Sequence, residues 1–234
     1  MIDFTQHPHK RLNPLTGQWV LVSPHRTKRP WQGQIEDLGV EKKPTYDPKC
    51  YLCPGNERAG GSQNPQYKGT YVFTNDFAAL LKDTPVESMM DDSSLFQAKS
   101  ESGECRVLCF SPRHDLTLAL MEIDEIVPVV NLWTEQYREF SQRDDIGYVQ
   151  IFENREAMMG CSNPHPHGQI WANRSIPDLP AAEDCYQKSY YEKHNRTLLF
   201  DYVIEECKKD ERVIFANDSF VSLVPFWAVW PYET

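Results

Sequence analysis

No stretch of the 234 residues approaches the roughly 18 consecutive apolar side chains that a membrane-crossing helix needs. Met1 to Arg11 are polar and His-rich and lack the apolar core of a secretory signal. Excess positive charge is also missing. The 24 Lys+Arg against 34 Asp+Glu leave a net charge of −10. That argues against nucleic acid as a partner, because tracking a phosphate backbone needs a basic face. A local arginine cluster can still hold one small phosphorylated ligand. The chain has seven cysteines, an odd number in a chain too long to need disulfide staples, which points to mostly free thiols, one pair excepted, in a reducing cytoplasm. The N-x-[ST] triplets at Asn173, Asn195 and Asn217 then read as chance matches. Several catalytic signatures fail. Gly55 to Ser62 has the spacing of a phosphate loop, but Gly61 stands where the lysine belongs. Gly160-Cys161-Ser162 opens like a nucleophile elbow, but Pro164 replaces the closing glycine. No H-E-x-x-H occurs.

What is present reads as one large globular domain or two small ones. Strands are expected at 17–23, 69–75, 105–110, 147–154, 168–173, 213–216 and 220–224, with a further one possible at 116–120. Asp124 is a good N-cap for a helix to about Gln142. Its residues Ile126, Val129, Val130, Trp133, Tyr137 and Phe140 recur at spacings of three and four and predict one buried face. Residues 181–209 form a long, charged, mostly helical stretch, and residues 1–15 look irregular. Residues 24–69 are rich in proline and glycine and read as a long ordered loop, of the kind that is functional or pinned by a metal. Residues 85–103 read as a polar, mobile surface connection. Strands mostly following strands, with two long helices, predict an α+β fold: an antiparallel sheet with helices packed on one face. The chain is still strongly apolar where it stops (V-P-F-W-A-V-W-P-Y-E-T), which reads as a truncated chain or fragment.

Two segments carry chemistry. Cys50-Tyr51-Leu52-Cys53 is a C-x-x-C, a spacing that lets two thiolates reach one tetrahedral ion from a single turn. The spacing alone also fits two unpaired thiols or, less well, a redox pair, since Pro54-Gly55 does not open a helix. The denser signal is Gly160 to Trp171, G-C-S-N-P-H-P-H-G-Q-I-W. His165, His167 and Gln169 alternate, so in an extended segment they share one face while Ile170 faces the core. Pro164 and Pro166 remove two amide donors, which predicts an edge or a bulge, not a central strand. One imidazole of such a pair can ligate a metal while the other attacks an electrophile, and a neutral imidazole is a competent nucleophile toward phosphorus. Ser162, Gln169, Arg26 and Arg29 are candidates to surround the phosphoryl oxygens.

These residues resemble a known family. G-C-S-N-P-H-P-H-G-Q-I-W-A is similar to the signature of the galactose-1-phosphate uridylyltransferases, a branch of the histidine-triad superfamily. Further matching pieces are N-P-L-T-G-Q-W-V-L-V-S-P-H-R-T-K-R-P-W-Q-G, C-Y-L-C-P-G-N, F-T-N-D-F-A-A-L and V-P-F-W-A-V-W-P-Y-E-T, from about Pro8 to the last residue. The resemblance implies a histidine-triad-like domain over residues 1–178. A linking helix and the start of a second, truncated one follow over 179–234. It implies ping-pong transfer of UMP from UDP-glucose to galactose 1-phosphate through a uridylyl group on His167. Gln169 matches the residue that bonds the phosphoryl oxygens, and Cys161 and Ser162 match the adjacent turn. Asn75, Asp76 and Asn154 match positions that hold uridine and ribose, with Ala59 near the base. Arg26 and Arg29 match arginines that reach toward phosphates. The implied zinc ligands are Cys50, Cys53, His114 and His165, a closed structural site. Glu183 matches one ligand of an iron-type second site that is expected to be incomplete here. A cytoplasmic homodimer is implied as well. Two other readings stay open: a histidine-triad nucleotidyl hydrolase or phosphorylase, and a truncated, non-catalytic zinc-binding chain. Gln169 stands where those hydrolytic enzymes carry a further histidine, and glutamine, a poor acid, favours transfer.

Overall fold

A computed structural model describes residues 2–30, 43–156 and 159–234. In chain order its elements are β1 (His9–Leu12), β2 (Trp19–Val22), β3 (Tyr71–Thr74), β4 (Ser88–Met90), β5 (Gln97–Lys99), β6 (Gly103–Cys109), α1 (Ile123–Ser141), β7 (Tyr148–Phe152), β8 (His167–Asn173), α2 (Asp178–His194), α3 (Leu198–Lys209), β9 (Val213–Ala216) and β10 (Val221–Leu223). Short 3-10 turns lie at Pro24–Lys28 and Leu118–Leu120. The chain divides into a unit of Leu38–Ile176 and a unit of Met1–Asp37 with Pro177–Thr234. The α+β class with antiparallel sheets is as expected.

The first unit is built on a four-stranded sheet of order β3-β6-β8-β7, antiparallel throughout. Side chains alternate across it. Leu108 of β6 and Ile170 and Ala172 of β8 point to one side and are buried against Val129, Leu132 and Phe140 of α1. Each large apolar side chain removed from water there contributes roughly 1.5–3 kcal/mol. Val107 and Cys109 point the other way, with Tyr71 and Phe73 of β3, and pack under Cys50, Leu52, Cys53 and Tyr67 of the 50s loop. Two asparagine side chains fasten that loop. Asn56 Nδ2 donates to the carbonyls of Asp47 (2.9 Å) and Cys50 (2.8 Å), and Asn64 Nδ2 to those of Tyr51 (2.8 Å) and Cys53 (3.1 Å).

Several expectations are corrected. β8 is a central strand, bonded to β6 on one side and β7 on the other, not an edge. The prolines do not interfere because they precede the strand, and Pro166 still serves the ladder by accepting from the Phe110 amide (2.9 Å). The N-cap of α1 is two residues earlier than Asp124: it is Glu122, paired reciprocally with Glu125 in a capping box. Its buried face is Val129, Leu132, Gln136 and Phe140, while Val130 and Tyr137 are exposed. Gln136 goes inside because its Oε1 accepts from Arg106 (2.6 Å). Residues 116–120 hold a 3-10 turn, not a strand. Residues 85–103 contain the β4–β5 hairpin and residues 1–15 contain β1, which pairs with β2. Of the proline-rich loop, residues 31–42 lie outside the described residues. In the second unit, the long charged helical stretch is two helices, separated where Asn195 takes a left-handed conformation (φ 52°). The β9–β10 hairpin follows α3.

One buried charge cluster has a testable consequence. Glu104 on β6 has a side chain only 2% exposed and meets Lys82 (2.8 Å), Arg106 (2.8 Å) and Arg143 (2.7 Å). Burial pushes its carboxyl up, but the three cationic donors outweigh burial and hold it at about 2, against 4.5 for an unperturbed glutamate. The folded-state value is the lower one, so the stabilisation is complete above about pH 4.5 and is lost as pH falls toward 2. Glu104→Gln is expected to cost on the order of 2–3 kcal/mol at pH 7. Denaturant unfolding should show the gap between the two proteins closing at low pH, and a pH-independent gap would contradict the assignment.

Candidate active site

Of the sequence-derived residues, the structure brings Cys50, Cys53, His114 and His165 together and sets His167 and Gln169 on the sheet face away from α1. β8 begins at His167, and its register sets His167 opposite Cys109 and Gln169 opposite Val107. His167, Gln169 and Trp171 therefore share the face of Tyr71 and Phe73. Gly168 faces α1, where nothing larger fits: a Cβ there would stand 2.8 Å from the Phe110 ring and 2.9 Å from the Phe152 carbonyl. That close approach fixes the strand directly beside His167.

His167 Nδ1 lies 2.7 Å from the carbonyl oxygen of His165. A carbonyl only accepts, so Nδ1 carries the hydrogen and donates, and Nε2 keeps its lone pair. Burial lowers the basicity of this imidazole, partly opposed by that same hydrogen bond, and so keeps it neutral. Gln169 is half-buried, and its Oε1 accepts from Trp171 Nε1 (3.4 Å).

His165 does not share the face of His167, because it precedes the strand and turns inward, 1% exposed. It joins Cys50, Cys53 and His114, all buried, in a group whose ligand atoms lie within 4.8 Å of one another. Cys53 Sγ is 3.6 Å from Nδ1 of both His114 and His165. Donors around a tetrahedral ion with bonds of about 2.0–2.3 Å stand roughly 3.5 Å apart, so the four residues fit a metal. The other nitrogen of His165 is spoken for. Nε2–H donates to the Ser111 carbonyl (2.9 Å), with the Tyr67 hydroxyl oxygen 3.1 Å away, and Tyr67 O–H donates to the Leu52 carbonyl (2.5 Å). Asn163 Oδ1 accepts from the His165 amide (2.9 Å) and lies 3.4 Å from Cys50 Sγ. Burial pushes the Cys53 thiol up to about 11 and the His165 imidazole down to about 4. An uncharged interior thus disfavours both thiolate and imidazolium, and a dication is the group that would favour the thiolates.

The other expected residues are placed as follows. Asn75 directly follows β3: its amide donates to the Cys105 carbonyl (2.9 Å) and its Oδ1 accepts from the Phe77 amide (2.9 Å). Asp76 is paired with Arg58. Ala59 is in the exposed turn after Arg58, and Asn154 is exposed two residues past β7. Cys161 is half-buried with its thiol directed at the Asn163 carbonyl (2.9 Å), and Ser162 is exposed. Arg26 and Arg29 are exposed, on and just after the Pro24–Lys28 turn of the other unit, and Glu183 is half-buried on α2 of that unit. Sequence reasoning missed Arg58, Tyr67, Ser111 and Asn163. Only Asn163, inside the histidine motif, had a local signal.

Residues 1–177 match the family described as galactose-1-phosphate uridyl transferase, N-terminal domain, and residues 183–234 match its C-terminal domain. The chain is 54% identical over 234 residues to the galactose-1-phosphate uridylyltransferase of Haemophilus influenzae, covering 100% of this chain and 66% of that protein. The Saccharomyces cerevisiae enzyme of that name is 46% identical over 243 residues, covering 99% of this chain and 66% of that protein. The chain thus spans slightly less than two thirds of these relatives' length. A solved uridylyltransferase superposes with a TM-score of 0.66 at 25% identity, covering 95% of this chain and 63% of that one. An ADP-glucose phosphorylase from Arabidopsis thaliana with bound ADP-glucose shares the fold, with a TM-score of 0.65 at 24% identity over 95% of this chain and 65% of that one. Among the described residues, no helix is long and apolar enough to cross a membrane. The chain belongs to the galactose-1-phosphate uridyl transferase family.

Proposed function

We propose that this chain transfers UMP from UDP-glucose to galactose 1-phosphate in two steps. In the first, His167 Nε2 attacks the α-phosphorus of UDP-glucose, and the bond to the β-phosphate oxygen breaks to release glucose 1-phosphate. In the second, a phosphate oxygen of galactose 1-phosphate attacks the uridylyl phosphorus and returns the electron pair to Nε2, giving UDP-galactose. The observation that carries the reading is the 2.7 Å bond from His167 Nδ1 to the His165 carbonyl, which fixes the tautomer that leaves Nε2 free to attack. That carbonyl also faces the positive charge that the ring gains as the bond to phosphorus forms. Gln169, one turn of the pleat along, is assigned to the phosphoryl oxygens, with Cys161, Ser162, Arg26 and Arg29. Asn75, Asp76, Asn154 and Ala59 are assigned to uridine and ribose.

Cys50, Cys53, His114 and His165 are assigned to zinc. These four donors would leave a bound ion no open position, and it would fasten the 50s loop to the segment before β8. In this reading residues 1–178 carry the histidine-triad-like catalytic part, and residues 179–234 supply a linking helix and part of a second domain of the same kind. The working form is a cytoplasmic homodimer. Seven free cysteines support the reducing compartment.

Isotope exchange tests the two-step scheme. The chain is expected to move label from glucose 1-phosphate into UDP-glucose with no galactose 1-phosphate present. Release of free UMP instead would point to a hydrolase, and neither exchange nor release would point to a non-catalytic chain.

A further inference from the structure

Arg58 has no role in the scheme above, yet it is built into the same sheet face. Its guanidinium carbon sits 4.2 Å from the centre of the Phe73 ring, and Nη1 donates to the Tyr71 hydroxyl (3.2 Å). Nε and Nη2 donate to the two carboxylate oxygens of Asp76, at 2.9 and 3.3 Å. The two side chains are only 13% and 18% exposed. Phe73 pairs with Val107, which pairs with Gln169, so Arg58 draws the Asp76 carboxylate over the face that carries His167. The rings of Tyr67, Tyr71 and Phe73 are stacked at 5.0 and 5.5 Å. The partner of His165 and the partner of Asp76 therefore stand on one aromatic ladder. Gly60 closes the turn against Asp76, where a Cβ would come within 2.8 Å of the Asp76 Cβ.

A carboxylate offers about four lone-pair sites on two oxygens. Arg58 takes one on each and leaves one on each, held at a fixed spacing. That is the arrangement needed to accept from two neighbouring hydroxyls of a cis-diol. Charge points the same way, since an unpaired Asp76 would repel a diphosphate and an Asp76 paired with a guanidinium does not. We propose that Arg58 is a positioning residue for nucleotide specificity: it holds Asp76 as a charge-compensated, two-point acceptor for the ribose hydroxyls of a nucleoside diphosphate sugar. This rests on the uridylyl-transfer reading and on Asp76 meeting the ribose.

The test compares UDP-glucose with its 2′-deoxyribose analogue on the whole chain, using Arg58→Gln and Arg58→Lys. Arg58→Gln is expected to raise the KM for UDP-glucose about tenfold, the scale of a charge-assisted bidentate contact, with kcat within about twofold. Its preference for ribose over deoxyribose falls by a similar factor. Arg58→Lys keeps the charge but loses the fork, so it regains affinity for UDP relative to uridine without regaining the ribose preference. An unchanged KM and ribose preference in Arg58→Gln would overturn the inference. So would equal losses on both nucleotides with kcat falling in parallel, the mark of a purely structural role. If Arg58→Gln does not fold, an unchanged ribose preference in Arg58→Lys overturns the inference by itself. Failure of the unsubstituted chain to bind UDP-glucose would overturn the function and the inference together.

Discussion

His167→Gly is expected to lower turnover of UDP-glucose by on the order of 10⁴-fold or more while leaving nucleotide binding nearly intact. The size of the effect follows from the division of labour on β8. In the proposed reaction the imidazole is the group that forms the bond to phosphorus, so no neighbouring contact could replace it. Ribose and base contacts, by contrast, are assigned to Asn75, Asp76, Ala59 and Asn154, on segments outside β8. The fold is not at risk from the change: His167 is only half-buried and its strand is held by Gly168, Ile170 and Ala172 on the opposite face. The measurement is kcat together with the dissociation constant for UDP. Retained turnover would remove His167 as nucleophile, and lost binding would mean that it acts as a contact instead.

Cys53→Ala is expected to release the metal and lower the melting temperature by on the order of 10 °C. Cys53 is fully buried, and its sulfur is the atom that approaches both His114 and His165. Losing it leaves three buried residues without their shared sulfur, and the 50s loop then depends on the hydrogen bonds of Asn56, Asn64, Tyr67 and Arg58 and on its apolar packing. Activity should fall too, because the His165 carbonyl that accepts from His167 Nδ1 belongs to a residue of the same cluster that could hold the metal. Elemental analysis should give about one metal per chain before the change and close to none after it. Cys185→Ala is the control: Cys185 is exposed and neither quantity should move. A Cys53→Ala chain that kept both its metal and its melting temperature would contradict the assignment.

The signals that read correctly were local. The G-Q-I-W-A-N run gave a strand because its alternation and its glycine are written into adjacent residues. The C-x-x-C spacing is local in the same way, and its two thiols lie in a four-residue cluster that could hold a metal. What the sequence hid was tertiary. Pro164 and Pro166 looked like edge markers because their distance from the ladder depends on where β8 starts. His165 and His167 looked like neighbours on one face, although a turn of backbone sends one into the cluster and the other onto the sheet. Gln136 is polar and buried because of Arg106, 30 residues away. Glu104 is buried because Lys82 and Arg143 reach it from other segments. Arg58 and Tyr67 carry no motif at all, since their roles arise when the 50s loop closes over β3.

Intact-mass analysis of the chain after brief exposure to UDP-glucose alone tests the central claim most directly. The account predicts a gain of one uridylyl group per site, acid-labile and base-stable, located on His167 and discharged by galactose 1-phosphate. A chain that releases glucose 1-phosphate without ever carrying that group, or that carries it on another residue, would contradict the account.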